Sequence, residues 1–172
     1  MSKRLPIEID PFRLIEQRIL LEGEMPVKQF PRLKEILSAN TGVLKVDLAF
    51  DRTNITNLPI VTGHIKGELS LVCQRCLQPI LHRVDSELNI VFTTSDKEAE
   101  RLQSEYDTWA VEDDRIFLQD FIEDEVLLGV PHSALHDDCE PFRPLIEAVA
   151  EESDTQQEDV KNPFAILKDL QK

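Results

Sequence analysis

Residues 65–92 read IKGELSLVCQRCLQPILHRVDSELNIVF, and this stretch decides the fold. Apolar and polar residues alternate on both sides of a short central segment, which is the period of strands with one buried face. The central segment, 73–78, contains two cysteines and is followed by Pro79, so it is expected to be a turn. The stretch predicts a long antiparallel hairpin with the cysteines at its tip. The alternating positions are Ile65, Leu69, Leu71 and Cys73 before the turn and Val84, Leu88, Ile90 and Phe92 after it.

The flanking sequence predicts further strands and a few helices around this hairpin. Strand-like alternation occurs at 46–50, a shorter candidate strand lies at 19–24, and Trp109 with Val111 suggests one more. The polar segment 95–105 is either a short exposed helix or an irregular loop. Together these patterns predict an α+β fold, in which an antiparallel sheet with a long hairpin is packed by two or three helices. Helical spacing occurs in two places, a first helix that Pro31 can open and a second that ends near Gly129: Phe30, Leu33, Ile36 and Leu37, and Leu118, Phe121, Ile122 and Val126.

The chain length and composition predict one domain followed by a tail. With 172 residues, 41% of them apolar, the chain can bury one core. We expect a single α+β domain over 1–148, an acidic disordered linker over 149–161, where residues 151–159 include no apolar side chain, and a short amphipathic tail over 162–172. Phe164 and Leu167 would form the apolar edge of a tail helix that begins at Pro163. That edge is a candidate anchor for a partner or for the chain's own domain.

Charge is distributed very unevenly along the chain. Residues 1–92 contain 12 basic and 11 acidic side chains, whereas residues 93–172 contain 7 and 22, which accounts for the net charge of -14. Phosphate binding depends on lysine and arginine, so the second half is expected to avoid nucleic acid and to favour a basic protein. A solvated acidic surface is the simpler explanation of most of these residues.

The amino terminus and the cysteine count predict a cytoplasmic protein. Residues 1–8 lack the apolar region of a secretory signal, and the sequence contains no run of about 20 apolar residues. Three cysteines in a chain that is not exported argue against a disulfide framework. Metal binding, redox chemistry and simple burial remain as their possible roles.

Two ligand pairs in the sequence have the spacing of a zinc site. Cys73 and Cys76 form C-x2-C, and His136 and Cys139 form H-x2-C. Two such pairs on tight turns suit a tetrahedral zinc ion. His132, seven residues before Cys139, competes less well with His136 for the fourth position. The alternative is that Cys73 is a core residue and Cys139 an incidental loop thiol. A redox role is disfavoured, because C-x2-C lies between strands rather than at a helix amino terminus.

Candidate RNA or partner contacts are Arg75 at the predicted hairpin tip and Lys66 and Arg83 on its strands. Glu68 and Asp85 lie on the same strands, so paired surface charges are the ordinary alternative. The sequence matches no short catalytic motif for phosphate binding, serine hydrolysis or metalloprotease activity. The neighbouring carboxylates of residues 123–125 are expected to point outward from a helix. We therefore predict a protein that is not an enzyme.

Taken together, several of these segments resemble the YceD family of large ribosomal RNA subunit accumulation proteins. The resemblance rests on C-Q-R-C at 73–76, F-I-E-D-E-V-L-L-G-V-P at 121–131, the pair His136 and Cys139, and N-P-F-A-I-L at 162–167. It extends over nearly the whole chain. Some members of that family carry more cysteines in the second half, where this sequence has only Cys139.

The resemblance implies a non-catalytic ribosome biogenesis factor that supports the synthesis, processing or stability of large-subunit (23S) ribosomal RNA. Its implied partners are this RNA or a pre-ribosomal particle, together with a basic ribosomal protein or assembly factor, and no membrane. The alternative is a protein-interaction adaptor that makes no direct contact with RNA and uses the tail as its anchor.

Overall fold

The hairpin predicted from residues 65–92 is the longest feature of the computed structural model, which describes residues 4–111 and 113–143. Strand β5 (Pro59–Val72) pairs antiparallel with β6 (Pro79–Thr93), and the register runs from Ile60 opposite Val91 to Val72 opposite Pro79. The turn between them holds both cysteines of C-x2-C. The predicted hairpin and its tip are therefore confirmed.

Four more strands complete a six-stranded sheet around the hairpin. These are β2 (Leu20–Pro26), β3 (Leu37–Ala39), β4 (Val43–Arg52) and β7 (Asp107–Ala110). The main order is β2-β4-β5-β6-β7, with β3 pairing the end of β5. All neighbours are antiparallel except β6 and β7, which are parallel. The remaining strands, β1 (Glu8–Ile9) and β8 (Ile116–Phe117), form a separate antiparallel pair.

The described residues also include four α-helices: α1 (Pro11–Glu16), α2 (Pro31–Ile36), α3 (Asp96–Leu102) and α4 (Leu118–Gly129). The sequence predicted α4 closely, but it missed α1, which begins where the Asp10 carboxylate accepts a hydrogen bond from the Arg13 N–H at 2.9 Å. The helix predicted from the apolar spacing at 30–37 corresponds to α2. It ends at Ile36, because Leu37 already belongs to β3. For the polar segment 95–105, the sequence left a short exposed helix and an irregular loop as alternatives. The segment contains α3, so the helix is the one observed.

The core lies on one face of the large sheet, as the alternation predicts. Inward-facing residues of β4, β5 and β6 are buried, whereas the residues between them are largely exposed. Phe50, Phe92 and Phe121 join the sheet to α4, with ring centroids 6.4 Å and 5.8 Å apart along this series. Helix α4 therefore packs over the centre of the sheet.

Glu123 is an exception to the expected outward direction of the α4 carboxylates. Its side chain is fully buried, and one of its oxygens accepts a hydrogen bond from the Leu33 backbone N–H at 2.9 Å. The other oxygen accepts from Arg32 Nε at 3.2 Å. Helix α2 has no side-chain cap of its own, so Glu123 satisfies one of its free first-turn N–H groups. The prediction that Glu123 points outward was wrong because α2 packs against that side of α4.

The chain divides into two units, Met1–Pro141 and Phe142–Lys172, and every element above lies in the first. The predicted linker at 149–161, the tail at 162–172 and the anchor residues Phe164 and Leu167 lie outside the described residues. Over the described part, no helix is long and apolar enough to cross a membrane.

Candidate metal centre

The turn between β5 and β6 brings Cys73 and Cys76 to the same end of the hairpin. The Cys73 N–H donates to the Gln78 carbonyl, and the Leu77 N–H donates to the Cys73 carbonyl, both at 2.9 Å. Leu77 has φ 60, a left-handed conformation that closes the turn. The backbone thus forms a compact loop of six residues with the two cysteines three positions apart.

The turn between β4 and β5 has the same hydrogen-bond pattern without any cysteine. Thr53 N–H donates to the Leu58 carbonyl at 2.9 Å, Asn57 N–H donates to the Thr53 carbonyl at 3.1 Å, and Asn57 has φ 56. Thr53 and Thr56 occupy the positions of the two cysteines, and their hydroxyl oxygens lie 2.6 Å apart. This turn therefore brings its first and fourth side chains together on its own, and the proximity of Cys73 to Cys76 is not by itself evidence of a metal.

The stronger observation is that a distant segment supplies two more ligands at this tip. The segment after α4 returns to the hairpin, where the Gln74 N–H donates to the Ala134 carbonyl at 2.9 Å. This contact brings His136 and Cys139 beside the cysteines of the turn. Of the two histidines considered as the fourth ligand, His136 lies in the group, whereas His132 lies outside it in a neighbouring groove.

The four donor atoms fit a tetrahedral zinc ion. They all lie within 4.8 Å of one another. Cys73 Sγ and Cys139 Sγ are 3.8 Å apart, and Cys76 Sγ and His136 Nδ1 are 3.4 Å apart. Zinc bonds of about 2.3 Å to sulfur and about 2.1 Å to nitrogen place tetrahedral ligand pairs about 3.5 to 3.8 Å apart. The arrangement is compatible with zinc. The interpretations of Cys73 as a core residue and as a metal ligand do not conflict, because Cys73 is buried and also belongs to the four-ligand group.

The surroundings of Cys73 favour the thiolate form that binds metals. Backbone hydrogen bonds from Cys76, and then from His136 and Arg75, lower the pKa of the Cys73 thiol to about 5. Burial and the neighbouring thiols instead raise the pKa of Cys139. A thiol with a lowered pKa provides the first ligand for a cation, and metal binding then releases the protons that other ligands still carry.

The three candidate RNA contacts do not form one patch. Lys66 and Arg83 lie on the exposed face of the hairpin strands, where Lys66 Nζ is 3.4 Å from Asp85 and Arg83 Nη2 is 3.8 Å from Glu68. Arg75 lies at the tip and donates to the Cys139 carbonyl at 3.4 Å. Six strand residues, or about 20 Å, separate Lys66 from the end of β5. Arg75 thus belongs to the candidate metal centre, and the other two belong to the paired surface charges that the sequence offered as an alternative.

Sequence reasoning missed two tertiary contacts, which neither ligand spacing nor periodicity reveals. The Ala134 carbonyl joins the ligand segment to the tip, and Glu123 joins α2 to α4. Backbone acceptors leave no signal in a sequence, and Glu123 is surrounded by other acidic residues from which nothing distinguishes it.

Comparisons with known proteins agree with the resemblance described above. The family model described as "Large ribosomal RNA subunit accumulation protein YceD" matches residues 61–171. A Haemophilus influenzae protein with that same name is 25% identical, and the alignment covers 97% of this chain and 96% of that protein. No solved structure matches. The matched residues include both ligand pairs of the candidate metal centre.

Proposed function

The chain belongs to the YceD family, since that family's model matches more than half of it, and we propose that it is a ribosome biogenesis factor. In this role it supports the synthesis, processing or stability of large-subunit (23S) ribosomal RNA without catalysing a reaction. The end-to-end similarity to the Haemophilus influenzae protein is the observation that carries the proposal. The expected place of action is the cytoplasm.

The chemistry of the four-ligand group supports a structural role for a bound metal. Three sulfur atoms and one nitrogen fill a tetrahedral zinc site, whereas catalytic zinc sites keep a position open for water or substrate. Zinc would supply cross-linking between the hairpin tip and the segment after α4. Cys73, Cys76, His136 and Cys139 would hold it, and Arg75 would be fixed beside it.

The proposed RNA-contacting residues are Arg75, Lys66 and Arg83. The Arg75 side chain already donates a hydrogen bond to a backbone carbonyl, so it would lose less conformational entropy when it binds a phosphate. Lys66 and Arg83 are more than half exposed, and ion pairs of this kind contribute only about 0 to 1 kcal/mol. A phosphate can compete for such cations. The acidic second half would instead face a basic ribosomal protein or assembly factor, or remain in solvent.

A charge reversal at the tip tests direct RNA contact. We expect Arg75→Glu to weaken binding to a large-subunit RNA fragment about tenfold or more at low salt, because an attractive phosphate contact becomes repulsive. The control is Arg13→Glu, which makes the same charge change at an exposed position of α1. A gel-shift titration measures both variants, and zinc content confirms that the tip is intact.

Gradient sedimentation of cell extracts tests the wider proposal. We expect the wild-type protein in fractions that hold large-subunit precursors, and we expect its depletion to reduce 23S RNA. Failure of both would overturn the assignment to ribosome biogenesis. Co-sedimentation without any RNA shift would overturn direct RNA contact and favour the adaptor, with Phe164 and Leu167 as its proposed anchor.

A further inference from the structure

A groove that contains none of the four candidate metal ligands has an aromatic wall. It has a volume of about 430 Å³ and lies between β6, β7 and α4. Tyr106 and Trp109 line it, and Trp109 is fixed from behind by an edge contact with Phe121 at a centroid distance of 5.0 Å. Leu128 at its rim is 82% exposed. The groove therefore combines an aromatic wall with one exposed aliphatic side chain.

Carboxylates on three elements point to the charge of that group. Glu87 of β6, Asp107 of β7 and Glu125 of α4 line the groove. Within residues 4–111 and 113–143, none of the three has a basic side chain within 4.0 Å. A fourth carboxylate, Asp124, is already paired with Arg32. The groove thus combines apolar surface with negative charge that no described residue compensates.

The electrostatic state of Glu125 agrees with this description. Partial burial, and then the nearby carboxylates of Asp107 and Asp124, raise the pKa of Glu125. A cation in the groove would relieve this repulsion, whereas RNA phosphate would increase it. The charge of the groove therefore suits a cation, and the aromatic wall favours one with a flat apolar surface.

We propose that this groove binds an arginine side chain on an extended segment of a basic protein partner. Guanidinium groups stack on aromatic rings and bind carboxylates through several N–H donors, which a lysine ammonium does less well. The inference rests on the proposed function, since it identifies how the acidic half would hold a basic protein of the ribosomal particle.

Binding of a short peptide of alternating arginine and serine tests the groove directly. Trp109 is the only tryptophan in the chain, so its fluorescence reports occupancy without a label. We expect a saturable change in its emission at about 0.1 M salt, and about threefold weaker binding of the matching lysine peptide. No change in Trp109 emission, or equal affinity for the two peptides, would overturn the proposal.

Matched charge variants separate the groove from the general acidity of the chain. We expect the double variant with Glu87→Gln and Glu125→Gln to bind the arginine peptide with about tenfold lower affinity. The control, Glu16→Gln with Glu22→Gln, removes the same charge from exposed positions of α1 and β2, neither of which lines the groove, and should weaken binding less than about twofold. An equal loss in both pairs would mean unspecific attraction and would overturn the proposal. Because this assay contains no ribosomal particle, its failure leaves the sedimentation test of the proposed function unaffected.

Discussion

Replacing His136 with alanine should abolish stoichiometric zinc binding, whereas His132→Ala should leave it intact. The two histidines lie on the same segment after α4, but only His136 is within 4.8 Å of the three cysteine sulfurs. Loss of one of four ligands opens the tetrahedral site, so we expect zinc to fall from about one ion per chain to a small fraction of that. Elemental mass spectrometry on protein purified without chelators measures the content, and Cys139→Ser should behave like His136→Ala.

The structural consequence of zinc loss should be local. The turn at Thr53–Leu58 forms without any metal ligand, so the equivalent turn at Cys73–Gln78 should also persist. The ligand segment after α4 has no equivalent hydrogen-bonded turn among the described residues, and we expect the Gln74 amide, which donates to Ala134, to exchange with solvent much faster in His136→Ala. Equal zinc content in the two histidine variants, or unchanged exchange at Gln74, would contradict a zinc cross-link.

Much of the fold was predictable because local periodicity and tertiary packing agree. The hairpin strands alternate with a period of two, and α4 has an apolar stripe of helical period, so each buried face could be read directly. The parallel pairing of β7 was not predictable, since alternation gives a strand's faces but not its direction or neighbour. Helix α1 was missed because its start, Asp10 followed by Pro11, is equally typical of a turn.

The candidate metal centre was predictable in its residues but not in its support. Spacing identified Cys73, Cys76, His136 and Cys139, since ligand pairs on tight turns leave a local pattern. That the two pairs meet depends on the Ala134 carbonyl and on the position of α4, which are tertiary facts. The candidate RNA contacts were also identified as residues but not as an arrangement. Lys66 and Arg83 share a sheet face with their acidic partners, whereas Arg75 lies at the hairpin tip.

Glu123→Ala should reduce the free energy of unfolding by about 3 kcal/mol. Removal of the carboxylate leaves the buried Leu33 N–H without an acceptor, which costs about 1 to 3 kcal/mol, and it also leaves a cavity between α2 and α4. Loss of the ion pair with Arg32 adds less, because Arg32 is about half exposed. Urea unfolding at neutral pH measures the change as a lower midpoint with an unchanged slope.

Two further variants of α4 identify the cause of that loss. Glu123→Gln keeps an oxygen for the Leu33 N–H but turns an amide donor toward Arg32, so it should cost about half as much. Asp120→Asn removes the same charge from an exposed position in the first turn of α4 and should cost less than about 1 kcal/mol. If all three variants were equally destabilised, helix charge would be the cause, and Glu123 would not be the cap of α2. A graded loss would mean that one acidic residue on α4 determines how α2 begins and thereby fixes the packing of both helices.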